Sequence, residues 1–260
     1  MNLPPRYELK YWAREHEVAA LLARLSGLLQ RDSHASDARP SYTLSSLYLD
    51  TPSLDMFWEK VEGLDERRKL RLRRYDDSPR GFLELKGKRG RRVYKWREDL
   101  AGPELAAVAR GDLAPLRRAS TRAARVLLAE VELRGALIPA VITRYDREAY
   151  LLRDDPALRV TVDRRLCAHG EDLIESFLAP EVDQAPMLPM LGPEPSAATI
   201  LEVKSSGPVP SVVAQALRAA GLERRAISKY CLSMLRARRL PTAAQERCEL
   251  LFPEVTVAHA

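Results

Sequence analysis

The run Arg67–Tyr75 reads RRKLRLRRY. In a β-strand successive side chains alternate between two faces. Arg67, Lys69, Arg71 and Arg73 then share one face, and Leu70 and Leu72 share the other. Cations crowded on one face repel one another and cannot pack against apolar core, so the face must meet water or an anion. Guanidinium groups grip phosphate oxygens in pairs, and an ammonium serves as a point charge. A phosphate chain is the anion that such a row fits best.

The same two-faced pattern recurs along the chain. Glu8 shares a predicted strand face with Lys10, Glu84 with Lys86, Arg159 with Asp163, and Glu202 with Lys204, while Leu, Val, Ile or Tyr occupy the opposite faces. A single strand of this kind reads as ordinary sheet with its charges in solvent. Repetition over many strands, beside helices long enough to cover the apolar faces, points to apolar faces turned outward and charged faces turned inward. The expected fold is α+β: a closed antiparallel β-barrel, a tunnel with a charged lumen, flanked by α-helices. A lumen of Arg and Lys could hold a threaded polyanion, and a few Glu inside it would serve a divalent cation bridging phosphate oxygens.

The elements that must position these residues follow from periodicity and breakers. Strands are predicted over 5–12, 42–50, 66–75, 82–88, 91–99, 138–150, 158–166 and 199–205, and helices over 14–30, 54–61, 102–110, 121–134, 210–220 and 227–239. The turn residues of 76–81 join 66–75 and 82–88 as a hairpin. Lys88, Arg89, Arg91 and Arg92 read as a solvated basic turn, a guide at a tunnel mouth. Pro180, Pro186, Pro189, Pro193 and Pro195 mark 179–198 as an irregular excursion rather than a linker, because a strand follows directly. Residues 1–240 read as a single domain and 241–260 as a loosely held C-terminal tail.

The totals set bounds. In 260 residues, 46% are hydrophobic, enough for a core, and 42 basic against 36 acidic side chains leave a net charge of +6. That favours an anionic partner, but placement of the cations says more than their number. Cys167, Cys231 and Cys248 form no CxxC pair, and the histidines are scattered, so neither a zinc site nor a disulfide framework is expected and the setting reads as cytoplasmic. There is no signal peptide and no apolar run of membrane-spanning length.

Taken together, YELKY (7–11), SSLYLDT (45–51), KLRLRRY (69–75), FLELK (82–86), RYDREAY (144–150), RVTVD (159–163), ILEVK (200–204) and SKY (228–230) resemble the VTC domain. This is the catalytic domain of the vacuolar transporter chaperone polyphosphate polymerase and of its bacterial relatives, within the CYTH, or triphosphate tunnel metalloenzyme, superfamily. The resemblance runs over about 5–240 and is to a stand-alone, bacterial-type member. It implies transfer of the ATP γ-phosphate to a growing polyphosphate chain, with Mn²⁺ or Mg²⁺ required. Matched motif by motif, it implies Lys10, Arg71, Arg73, Lys86, Arg147, Arg159, Lys204 and Lys229 as catalytic phosphate ligands. Lys69, Lys95, Tyr145 and Ser228 would bind substrate, and Glu202 would be the principal metal ligand, joined by Glu8 and Glu84. Both latter carboxylates also read as counter-charges, Glu8 to Lys10 or Arg6 and Glu84 to Lys86; without the resemblance Lys229 reads as a helix-surface lysine.

The implied partners are ATP and polyphosphate, not nucleic acid, since base-stacking aromatics make up only 6% of the chain and Tyr75 alone flanks the basic row. No regulatory domain or membrane segment adjoins the motifs, so a membrane partner coupling synthesis to translocation would be encoded elsewhere; oligomeric state is not legible. Superfamily hydrolases carry a fuller N-terminal ExExK pattern, whereas Arg6 stands where the first Glu would be. Fewer carboxylates give less support for water activation and favour transfer. The alternatives are a triphosphatase in the same tunnel, cleaving tripolyphosphate or a nucleoside triphosphate, and a non-catalytic polyanion-binding module.

Overall fold

The two-faced strands assemble into one antiparallel sheet. The computed structural model describes residues 7–35, 39–76, 78–90, 92–179, 188–189, 199–237, 240 and 242–251. Its strands are β1 (Tyr7–Ala13), β2 (Leu29–Arg31), β3 (Tyr42–Asp50), β4 (Glu66–Tyr75), β5 (Gly81–Arg89), β6 (Arg92–Leu100), β7 (Ile138–Leu152), β8 (Arg159–His169), β9 (Leu188–Pro189) and β10 (Thr199–Ser205). They follow the order β1-β10-β8-β7-β3-β4-β5-β6, with β2 added beside β7 and β9 beside β8. The helices are α1 (Glu15–Leu25), α2 (Asp55–Val61), α3 (Gly102–Ala109), α4 (Ala114–Arg118), α5 (Arg122–Arg134), α6 (Leu173–Leu178), α7 (Ser211–Ala219), α8 (Lys229–Arg236) and α9 (Thr242–Leu251).

Apolar faces turn out and charged faces turn in. Leu70, Leu72, Leu83 and Leu85 pack in one buried cluster with Leu105, Leu116, Leu127 and Phe177 of α3 to α6. Val160, Val162, Leu201 and Val203 pack in another with Leu21 of α1 and Val213 of α7. Each such side chain contributes about 1.5–3 kcal/mol on full burial, so the helices fix which way every strand faces. The tunnel differs from a fully hydrogen-bonded barrel in one respect. Among the described residues β1 and β6, the ends of the strand order, share no ladder. Side chains draw the seam together: Lys86 Nζ on β5 lies 2.7 Å from Glu8 Oε2 on β1.

α8 enters the concave side instead of covering the outside. Tyr230 stacks on Tyr48 of β3 with ring centroids 4.8 Å apart, and Ser233 Oγ lies 2.6 Å from Thr143 Oγ1 of β7. β3 carries no Lys, Arg or Glu on this face; Leu44 and Tyr48 give the helix an apolar seat, and Asp50 at the strand's end accepts from Tyr230. The first of these helical residues is Lys229, so the basic side chain opens directly into the lumen.

Several boundaries differ from the periodic reading. The helix expected over 14–30 stops at Leu25; Ser26 and Gly27 follow, and Leu29–Arg31 pairs with Tyr150–Leu152. Glycine disfavours helix, and the strand buries Leu29 beside Leu152. The helix expected from Ile227 begins at Lys229, where Ser228 Oγ accepts from Cys231 N. The expected loose tail instead contains α9, with Ala244 buried in the core beside α8 residues. The short helices α4 and α6 escaped the periodic reading. Arg6, Arg91 and, apart from Ala179 and Leu188–Pro189, the proline-rich excursion lie outside the described residues.

Asp50 locks β3, α2 and α8 together. It is fully buried and accepts from Thr51 N (2.8 Å), Met56 N (2.9 Å), Phe57 N (2.9 Å) and Tyr230 Oη (2.5 Å). Removing it strands buried donors, each costing about 1–3 kcal/mol. Asp50→Ala is expected to destabilise the fold by about 3 kcal/mol or more in denaturant titration; a midpoint equal to wild type would contradict this role.

Candidate active site

The inward faces place the charged residues in three groups, each organised by carboxylates. The first is set by hairpin register. Glu84 on β5 lies opposite Arg71 of β4 on one side and Arg97 of β6 on the other. Its carboxylate, 1% exposed, accepts from Arg71 Nη2 at 2.8 Å and Arg97 Nε at 2.7 Å, with Lys95 Nζ at 2.7 Å and Arg73 Nη1 at 3.7 Å. Burial opposes its charge, but Arg71, Arg73, Lys95 and Arg97 hold the carboxyl far below the usual range. Arg73 also donates to Ser46 Oγ (3.1 Å) and Tyr145 Oη (3.3 Å), and Arg71 to Tyr48 Oη (3.2 Å).

The second group surrounds Glu202 and Asp163. Glu202 sits on β10 between Lys10 of β1 and Thr161 of β8 in register. It meets Lys204 Nζ at 2.7 Å, Lys229 Nζ at 3.0 Å and Lys10 Nζ at 3.5 Å. Asp163, fully buried, forms a two-pronged pair with Arg147 (2.6 and 2.7 Å) and also meets Lys229 Nζ at 2.6 Å. Burial opposes both charges. Lys204, Lys229 and Lys10 nevertheless hold Glu202 well below its ordinary value, and Arg147 and Lys229 lower Asp163. Lys229 is correspondingly raised by Asp163 and Glu202 against burial, and lies 4.9 Å from the centre of the Tyr145 ring. An ammonium in the first turn of α8 faces the positive end of the helix dipole; the two carboxylates offset it.

The third group lies at the seam. Glu8 pairs with Lys86 (2.7 Å) and Lys10 (3.7 Å), which bring its carboxyl down to about 2 against burial. The expected Glu84–Lys86 balance is therefore corrected: Lys86 pairs with Glu8, and Glu84 takes the arginines and Lys95. Among the described residues Lys69 pairs with no carboxylate; its Nζ donates to Ser228 Oγ at 2.8 Å. Burial, helped by Lys10, Lys60 and Lys86 and opposed by Cys231, lowers this ammonium to about 7. Arg159 stands apart from the three groups, bound to Asp32 and to Tyr42 Oη (3.0 Å).

Asp163, Arg97, Tyr48 and Asp32 were not singled out from sequence. Asp163 lies on a face already read as charged, and Arg97 shares its strand face with Lys95; what was missing was the register that joins them to Arg147 and Glu84. Tyr48 and Asp32 carry no signal of their own. Among the described residues two buried side-chain atoms lack partners, Arg159 Nε and Thr161 Oγ1, both on the strand whose alternate residues line the lumen. Donors left bare in this way suit a phosphate oxygen. For a divalent cation, Glu202 and Glu8 both touch the Lys10 ammonium, and among the described residues no three acidic, His or Cys side chains form a metal-binding cluster. An ion here would use Glu202, with Glu8 beside it, and draw its other ligands from phosphate and water, a pattern natural to Mg²⁺.

This arrangement has counterparts. The family model described as the VTC domain matches residues 5–237. The chain therefore belongs to the VTC-domain family. No curated protein matches it in sequence. A putative adenylyl cyclase from Hippeastrum, whose structure is described as revealing a dominant triphosphatase activity, superposes with a TM-score of 0.56 at 17% identity, over 91% of this chain and 97% of that one. A putative adenylate cyclase from Bacillus halodurans gives 0.50 at 10% identity, over 87% and 94%. These likenesses are of fold.

Lys69 yields a signed pH effect. Its charge is lost as pH rises through about 7, and a bound polyanion would restore it. Long-chain polyphosphate, whose interior phosphates stay ionised, is expected to bind about tenfold or more weakly at pH 9 than at pH 6. Calorimetry in buffers of different ionisation heat should show proton uptake at pH 7.5, reduced in Lys69→Met; heat independent of buffer would contradict this.

Proposed function

We propose that this chain is an ATP-dependent polyphosphate polymerase, transferring the γ-phosphate of ATP to the end of a polyphosphate chain held in the lumen. The carrying observation is the state of the carboxylates. Glu8, Glu84, Asp163 and Glu202 are each clasped by cations and lowered from their ordinary range. A general base for water works best with a pKa near the operating pH, and these four are far from it. A terminal phosphate oxygen is already ionised and needs no base. It attacks the γ-phosphorus, the bond from that phosphorus to the β-bridging oxygen breaks, and ADP leaves with the electron pair.

The chain's own residues position and neutralise, which is most of what phosphoryl transfer asks of a protein. Arg71 and Arg73 grip oxygens in the Glu84 group, and Arg147, Lys204, Lys229 and Lys10 grip them in the Glu202 group. Lys86 and Arg159 extend the cationic wall to either side, and Lys69, Lys95, Tyr145 and Ser228 bind the phosphate chain. A divalent Mn²⁺ or Mg²⁺ held by Glu202 would supply further charge neutralisation on the phosphate oxygens. Glu84 we assign to holding arginines in place rather than to metal. Such a protein would work where ATP is available, in the cytoplasm, and nucleic acid is not its substrate.

The second reading is a triphosphatase in the same lumen. It is favoured by the activity described for the Hippeastrum protein of the same fold. Purified protein with ATP and Mn²⁺ separates the two: the polymerase reading expects long polymer on a gel, and orthophosphate without polymer would replace it with the hydrolase. Glu202→Ala should abolish turnover while polyphosphate binding persists, and Arg71→Ala should lower kcat/KM about a hundredfold or more. Full activity in both variants would remove the lumen from the chemistry.

A further inference from the structure

Beyond the three groups of the lumen lies a second set of cations, gathered at the seam. A cavity of about 650 Å³ opens beside β1 and β5, lined by the lumen cations Lys10, Lys69 and Lys86, by Arg68, which is paired with Glu66 and Glu130, and by the outer cations Lys60, Arg67, Lys88 and Arg224. A smaller cavity of about 310 Å³ adjoins it, again lined by Lys60 and Arg224. These outer cations come from separate parts of the chain: α2, β4, β5 and the segment before α8. They converge on space continuous with the lumen.

Their charge balance differs from that inside. Every lumen group has its carboxylate. Among the described residues no carboxylate forms an ion pair with Lys60, Arg67, Lys88 or Arg224; Arg67 Nη1 donates only to the Leu64 carbonyl, at 3.2 Å. Among the described residues Glu8 is the one carboxylate lining either cavity, and it is committed to Lys86 and Lys10. Lys60 is half-buried, and burial lowers its ammonium, with Arg67, Lys10 and Lys88 adding to this and Cys231 opposing it. Cations that repel one another around an open cavity raise the local concentration of an anion. Of the basic turn, Lys88 lines the cavity, whereas Arg89 and Arg92 are exposed.

We propose that Lys60, Arg67, Lys88 and Arg224 form an extension subsite at the seam, which holds the outer phosphates of a polyphosphate chain while the lumen holds its inner end. The subsite makes the protein select chains longer than a triphosphate. This rests on the phosphate-binding reading of the lumen, but not on whether the lumen transfers or hydrolyses. The four side chains bind and position the chain and take no part in bond making.

The test compares two ligands by calorimetry at fixed salt and pH, tripolyphosphate and long-chain polyphosphate, against wild type, Lys60→Gln and Arg224→Ala. Arg224 is exposed, so its variant carries little folding risk, and tripolyphosphate affinity reports an intact lumen. Long-chain affinity is expected to fall about tenfold per removed cation, with tripolyphosphate affinity unchanged. Equal loss for both ligands, or no loss for either, would overturn the subsite. So would wild-type protein that binds both ligands alike, or RNA that displaces the long chain as well as polyphosphate does. Wild-type protein that selects long chains through Arg224 yet makes no polymer would support the subsite and remove only the polymerase reading.

Discussion

Like charges enclosed together repel, and that repulsion constrains everything else in this molecule. The lumen gathers Arg71, Arg73, Lys95 and Arg97 within reach of one carboxylate, and Lys10, Lys204, Lys229 and Arg147 within reach of two more. In a medium of reduced dielectric such cations would drive the strands apart. Glu84, Glu202 and Asp163 divide them into groups that the sheet can hold. The desolvation cost of buried ion pairs is large and such networks add little net stability. On the proposed function their value is readiness: the arginines and lysines are already oriented, and a phosphate chain entering the lumen would exchange with carboxylates for partners whose geometry is set.

The outer packing makes this interior affordable in structural terms. Leucine and valine faces seated under α1, α3 to α6 and α7 leave each strand one orientation, and a slip of one residue would turn a charged row into the helices. The seam is the weak point, since no ladder joins β1 to β6 among the described residues. The Glu8–Lys86 pair bridges it, and the unpaired cations that gather there give the opening its character.

Period-two alternation made the charged faces legible from sequence, because an Arg or Lys every second residue has no other reading in a strand. It also located the hairpin that places Arg71 against Glu84. Register across distant strands was not legible. Nothing local tells Glu8 that it meets Lys86, or Asp163 that it shares Lys229 with Glu202. β3 was found as a strand, but its uncharged Ser46 and Tyr48 gave no hint that α8 would lie against them. Lys229 entered the site only through family resemblance, since a lysine opening a helix looks like a surface residue until its helix is placed inside the cylinder. Leu29 and Gln30 were absorbed into the preceding helix because Leu28 and Leu29 continue the apolar stripe that Gly27 interrupts.

The most direct test is a crystal structure of the protein with tripolyphosphate bound. The charge-divided lumen predicts phosphate oxygens within hydrogen-bond distance of Arg71, Arg73, Arg147 and Lys229, inside the strand cylinder. An anion bound on the outer surface, with those four side chains still paired only to Glu84, Asp163 and Glu202, would contradict it.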